Sequence, residues 1–203
     1  MEKTHRKGLP CYVALLIITL AAGLVLGATY TLTKEPIEVR QAEDAEAARK
    51  SVLPEAESFE EVAAPEGLDW LYLGIAADGS EAGYAAQITT TGFGGEIEII
   101  AGVNTEGTLT GISVGGSNFS ETAGLGAKSK EPEFTSQFAG KTAPLTVVKA
   151  GEEKGESTID AITSASITSK AVTNAVNNLC ALINGEEVDA VTSATQAEGG
   201  AEE

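Results

Sequence analysis

From Leu9 to Thr33 the chain carries no charge, and the core of that run, CYVALLIITLAAGLVLGATYTL at 11–32, is apolar. At about 1.5 Å per residue this core reaches about 33 Å, enough for a hydrocarbon layer of about 30 Å. The pattern therefore predicts one membrane helix. From Pro36 to about Leu68 the chain is acidic and alanine-rich. Within this stretch QAEDAEAARKSVL (41–53) has helix-forming composition and stops at Pro54, which predicts a juxtamembrane helix or stalk with a solvated face. From Trp70 the pattern turns to short β-type runs, LYLGIAA (71–77), YAAQITTT (84–91), EIEIIAGV (96–103) and TLTGISVGG (108–116), separated by glycine-containing turns. Runs spaced in this way predict an antiparallel meander. Ile97 and Ile99 alternate with Glu96 and Glu98, so that strand is expected to have one buried and one wet face. A loop and helix around 119–140, a strand LTVVKA (145–150) and a helix from about Ile167 to Asn184 follow. The last helix carries an apolar stripe of Ile167, Ala171, Val172, Ala175, Val176, Leu179 and Ile183, which should pack on the sheet.

Charge adds a direction to this layout. The chain has 203 residues and a net charge of −17, yet Lys3, Arg6 and Lys7 crowd its start, while residues 34–203 hold 10 basic and 29 acidic residues. Positive charge stays on the cytoplasmic side, so the acidic remainder is expected outside. A cleaved signal peptide, with Leu26-Gly27-Ala28 as the cleavage region, is the alternative, but its apolar run is normally only about 7–15 residues. Cys11 opens the apolar run instead of following it, which argues against a lipidated cysteine. Cys180 lies in the exported part and reads as a small buried hydrophobe, with no disulfide to Cys11. No Lys or Arg occurs between Ser51 and Ala127, which argues against nucleic acid. His5 is the chain's one histidine, and the two cysteines lack a zinc spacing, so no metal site is expected.

Two segments carry candidate chemistry. GSNFSETAGLGAK (116–128) is a polar loop in which Gly124 and Gly126 let backbone N–H groups approach a ligand, although glycine loops are more often plain turns. DAITSASITSKAV (160–172) places hydroxyls at Thr163, Ser164, Ser166 and Thr168 around the start of the last helix. Small hydroxyl residues there can cap the helix and hold a phosphate, or cap it alone.

These segments resemble a known family. ETAGLGAK is similar to the ETPGLG-type segment, and DAITSAS to the D-x-x-[S/T]-G-A-T flavinylation motif, of the G subunit of Rnf-type electron transport complexes. The related C subunit of sodium-pumping NADH:quinone reductase shares the FMN-binding domain. The order of the basic start, the apolar run, ARKSVLPEA (48–56), GFGGEIEIIAGVNTEGTLTGISV (92–114) and the two motifs agrees over roughly residues 10–185. The resemblance implies FMN joined through its phosphate to a motif hydroxyl by a separate flavin transferase that uses FAD. Position by position, Asp160 takes the motif acid, Thr163 the first hydroxyl, Ser164 the glycine, Ala165 the alanine and Ser166 the flavinylated threonine. Thr168 is a neighbouring hydroxyl, and Glu121, Thr122, Gly124, Leu125 and Gly126 are the loop residues expected around the flavin. Ala123, Ser164 and Ser166 depart from the family's proline, glycine and threonine. Serine keeps the hydroxyl the phosphoester needs. DAVTSAT (189–195) repeats DAITSAS in five of seven positions and offers Thr195 as an alternative attachment site, although no apolar helix follows it.

The expectation is an α+β chain with one N-terminal transmembrane helix and a single extracytoplasmic FMN-binding domain, built on a mainly antiparallel sheet with packed helices. Its expected parts are a cytoplasmic start (1–10), the transmembrane helix (11–33), the acidic stalk (34–68), the FMN-binding domain (69–185) and an acidic flexible tail (186–203). The resemblance further implies an electron-carrying subunit without a catalytic site of its own. Its expected partners are other membrane and iron–sulfur subunits, in a complex coupling electron flow between ferredoxin and NAD to sodium or proton translocation. The rival readings are a stand-alone membrane-anchored flavoprotein and a flavin-free exported binding domain.

Overall fold

The computed structural model describes residues 10–149, 152–153, 155–186 and 188, with the backbone alone for 35–43. These form two units, one reaching to Asp44 and one beginning at Ala45. The first unit holds most of helix α1 (Cys11–Val52), including a 24-residue apolar segment, Cys11–Lys34, that has no buried residues and is long and apolar enough to cross a membrane. Its threonine hydroxyls do not need water: Thr19, Thr29, Thr31 and Thr33 each donate to a carbonyl three or four residues back.

The second unit is built on a five-stranded antiparallel meander, β1 (Ser58–Val62), β2 (Trp70–Ile75), β3 (Glu81–Thr91), β4 (Glu96–Asn104) and β5 (Leu109–Gly115), paired in chain order. The four runs expected from Trp70 onward are β2 to β5. β1 comes earlier, inside the acidic stretch, and pairs Phe59 with Gly74 and Glu61 with Tyr72. Its sequence SFEEV has too few apolar positions to reveal a strand without a partner.

One face of the sheet carries Leu71, Ile88, Ile97, Ile99 and Val103, which pack with Val172, Val176 and Leu179 of α3 (Ser166–Ile183). Cys180 is buried there too, and burial pushes its thiol up to about 11. The opposite face is expected to be wet along β4, and that holds only for its first half. From Ile100 to Val103 every residue is buried, because Val52 to Ala56 lie over the sheet's other side. Gly102 makes this approach possible, since a Cβ there would collide with the Val52 carbonyl, which accepts a hydrogen bond from Thr110 Oγ1. Arg49, one turn earlier, places its guanidinium 4.2 Å from the centre of the Tyr72 ring and 5.4 Å from that of Trp70.

Between β5 and α3 the expected single helix is replaced by a 3-10 turn at Gly126–Lys130 and the four-residue helix α2 (Pro132–Thr135). Gly124, at φ +78°, and Pro132 interrupt any longer helix. Two short parallel strands follow, β6 (Thr146–Val148) and β7 (Thr158–Asp160), the second of which leads through the turn at 161–165 into α3. Asn177 on α3 accepts from the Leu145 N–H (2.7 Å) and donates to its carbonyl (2.8 Å), which fixes the entry to β6 on the helix.

Candidate functional site

The site is assembled from the β3–β4 turn, the loop after β5 and the start of α3. Gly92 N–H closes the turn on the Gly95 carbonyl at 2.8 Å. The loop after β5 is tied to this hairpin along its length: Ser117 N–H donates to Glu98 Oε1 (3.1 Å), Asn118 Nδ2 to Glu96 Oε2 (3.0 Å) and Ser120 Oγ to the Gly94 carbonyl (2.6 Å). Glu121 completes the assembly. Its side chain is buried, Oε1 accepts from the Gly94 N–H (3.0 Å), and Oε2 accepts from the hydroxyl of buried Thr168 on α3 (2.9 Å). Both partners are donors, so each carboxylate oxygen, largely withdrawn from water, accepts a hydrogen bond within the protein. Gly92 and Gly126 lie so close to this carboxylate that a Cβ on either would strike it.

The start of α3 is open. Ala165 stands at the capping position, and no side chain caps the helix, so the expected Ser/Thr cap is not formed. The surrounding hydroxyls have other geometry. Ser169 Oγ donates to the Ala165 carbonyl (3.0 Å) and accepts from Ile162 N–H (2.9 Å), holding the turn from behind. Ser169 N–H is bonded back to the Ala165 carbonyl (3.0 Å), which leaves the N–H groups of Ser166, Ile167 and Thr168 as the free donors of the first turn. Ser164, immediately before, adopts φ 63°, the left-handed region that favours glycine.

A cavity of about 370 Å³, within the range of small-molecule sites, opens between these segments. The residues singled out in the sequence divide around it. Glu121, Thr122, Leu125, Gly126, Ser164, Ala165, Ser166 and Thr168 line it, joining the two motifs in one place. Gly124 turns the loop nearby and is not part of the lining. Asp160 and Thr163 line a second hollow of about 290 Å³ with Lys128, Glu131 and Gln137, where Asp160 N–H donates to Gln137 Oε1 at 2.7 Å. Thr195 lies outside the described residues. Phe93 and Ile167 also line the main cavity. Ile167, expected in the packed stripe, is 37% exposed at the cavity instead. The signal for Phe93 is present in the sequence, as one bulky apolar residue within Gly92–Gly95. Among the described residues no cluster of three or more His, Cys, Asp or Glu could hold a metal ion.

The fold and the segments around this cavity are those of a described domain class, the FMN-binding domain. The family of that description matches residues 92–181, which span the glycine hairpin, both motifs and most of α3. The domain has the fold of the crystal structure of Shewanella oneidensis NqrC, at a TM-score of 0.51 and 19% identity over 64% of this chain and 68% of that one. More particularly, the chain belongs to the family of G subunits of ion-translocating oxidoreductase complexes. It is 37% identical over 180 residues to the G subunit of the Na(+)-translocating ferredoxin:NAD(+) oxidoreductase complex of Acetobacterium woodii, covering 80% of this chain and 85% of the relative. It is 33% identical to the G subunit of the ion-translocating oxidoreductase complex of Methanosarcina acetivorans, covering 86% and 94%. A third relative, the G subunit of the proton-translocating ferredoxin:NAD(+) oxidoreductase complex of Clostridium ljungdahlii, is 31% identical over 89% of this chain and 90% of its own.

The backbone at Ser164 yields a prediction. Ser164→Gly should hold or raise stability by up to about 1 kcal/mol, while Ser164→Val should lower it by about 1–2 kcal/mol, because a β-branched side chain resists positive φ. Chemical denaturation of the three proteins checks this, and a valine variant as stable as the glycine variant would show that the turn is not held left-handed.

Proposed function

We propose that the chain is the membrane-anchored, electron-carrying subunit of an ion-translocating ferredoxin:NAD(+) oxidoreductase complex, with FMN attached as a phosphoester to Ser166. The observation that carries this reading is the meeting of both motif segments at one cavity, with the Ser166 hydroxyl on an uncapped helix start. The residues present suit the group. Free N–H donors and the positive end of an 18-residue helix stabilise a phosphate, and Phe93, Leu125 and Ile167 offer apolar surface to a ring.

Bound FMN supplies one- and two-electron chemistry that no side chain here provides. The chain binds and positions it. Thr122, Leu125 and Gly126 form one wall, Gly124 turns the loop that carries them, and Glu121 with Thr168 holds that loop against α3. Ser164 and Ala165 set the turn that presents Ser166, with Asp160 and Thr163 shaping the same turn from the second hollow. For attachment, a separate flavin transferase directs Ser166 Oγ to the FMN phosphorus of FAD. The hydroxyl proton is lost, the pyrophosphate bond breaks and AMP leaves. A covalent tether suits a domain on the outer side of the membrane, from which a free cofactor would be lost. The partners in this reading are the other membrane and iron–sulfur subunits, with the basic start of the chain in the cytoplasm.

Two measurements test these assignments. With protein co-expressed with a flavin transferase, peptide mass spectrometry should place the FMN mass on the fragment between Lys154 and Lys170. Its appearance only beyond Lys170 would move the site to Thr195. Protease added to spheroplasts should digest the chain beyond Lys34 and spare the N-terminus, whereas a protected C-terminal domain would reverse the orientation.

A further inference from the structure

We propose that Phe93 is the aromatic wall of the flavin cavity, covering one face of the ring, and that the Gly92–Gly95 hairpin is constructed to hold it there. The proposal rests on the FMN reading above and adds a residue that neither motif contains. Among the described residues, the exposed large hydrophobic side chains fall in two places. One group lies on the apolar helix between Tyr12 and Leu32. The other consists of Phe93 at 71% exposure, Leu125 at 39% and Ile167 at 37%, and all three line the same cavity. A single exposed apolar residue is ordinary on a protein surface, but three converging on one opening form a patch that a ligand relieves of its contact with water.

The hairpin backbone is fixed on both sides of Phe93. Gly92 closes the turn on Gly95, Gly94 donates its N–H to Glu121, and the Gly94 carbonyl accepts from Ser120 Oγ. A Cβ at Gly94 would strike the Ser120 backbone carbonyl, so the residue after Phe93 must be glycine for the loop to lie this close, and a Cβ at Gly92 would displace the ends of the Glu121 and Ile97 side chains. The same buried carboxylate that joins the loop to α3 therefore also anchors the hairpin tip. Phe93 is thus carried between two tied glycines, an arrangement that suits a preformed wall. A phenyl ring offers a flat π surface that stacks offset on another aromatic system, and Leu125 and Ile167 supply aliphatic contact on the same cavity. The occupant that fits this chemistry is a flat, largely apolar aromatic ring system, as in a flavin.

The test uses the full chain, co-expressed with a flavin transferase and purified in detergent, as wild type, Phe93→Ala, Phe93→Leu and Phe93→Trp. Flavin fluorescence and its quenching by iodide are measured per bound flavin. Phe93→Ala should raise the iodide quenching constant at least two-fold, with Phe93→Leu intermediate. Phe93→Trp should reduce flavin fluorescence several-fold, because an indole touching the ring donates an electron to the excited flavin. If flavin is bound but all three variants match wild type in both readouts, Phe93 does not touch the ring and the proposal fails while the FMN reading stands. The same result accompanied by loss of co-purifying complex subunits would assign the apolar rim to protein docking and equally overturn the proposal. Wild-type protein without flavin would overturn the FMN reading and this proposal together.

Discussion

The Glu121 carboxylate accepts hydrogen bonds from the Gly94 amide on the β3–β4 hairpin and from the Thr168 hydroxyl on α3, so segments 27 and 47 residues away in sequence meet at one buried acid. A carboxylate withdrawn from water is costly unless its oxygens are satisfied by hydrogen bonds. That requirement constrains the neighbourhood. Gly92 and Gly126 must lack a Cβ to let the carboxylate in, Thr168 must point inward from the first turn of α3, and the loop must follow the hairpin closely enough for Ser120 to reach Gly94. The cavity is the space these constraints leave between the hairpin, the loop and the open helix start.

The platform beneath the site depends on close packing on both faces of the sheet. α3 fills one face with Val172, Val176 and Leu179, while Val52, over Gly102, and Leu53, over Gly74, fill part of the other. Burying these aliphatic side chains stabilises the domain by roughly 1.5–3 kcal/mol each before entropy is counted. It also holds α3 at a fixed distance from the hairpin. Arg49 stacked on Tyr72 and near Trp70 seats the last turn before Val52. The acidic stretch preceding Trp70 is therefore partly structural: it supplies an edge strand and a cover for the sheet as well as solvated charge.

Much of this was legible in the sequence where the signal is local. β2 to β5 and α3 follow from runs of adequate length and clear periodicity, and the two motif segments could be recognised from their own residues. Features that depend on a distant partner could not. β1 and β7 are short and have meaning only beside β2 and β6. The covered half of β4 looks wet until Val52 to Ala56 are placed over it. The start of α3 has a cap-like composition, yet its hydroxyls are used otherwise: Thr168 faces Glu121, Ser169 braces the turn, and Ser166 lines the cavity. The separation of Asp160 and Thr163 from the main cavity arises because the chain reverses at Ser164, whose positive φ a sequence pattern does not reveal.

The central claim is that Ser166, at the uncapped end of α3, is the point at which the two motifs hold a covalent flavin. It is tested most directly by in-gel fluorescence after denaturing electrophoresis of the chain co-expressed with a flavin transferase. A fluorescent band is expected for wild type and for Ser166→Thr, which keeps the hydroxyl, and none for Ser166→Ala. A band of undiminished intensity from Ser166→Ala would contradict the claim.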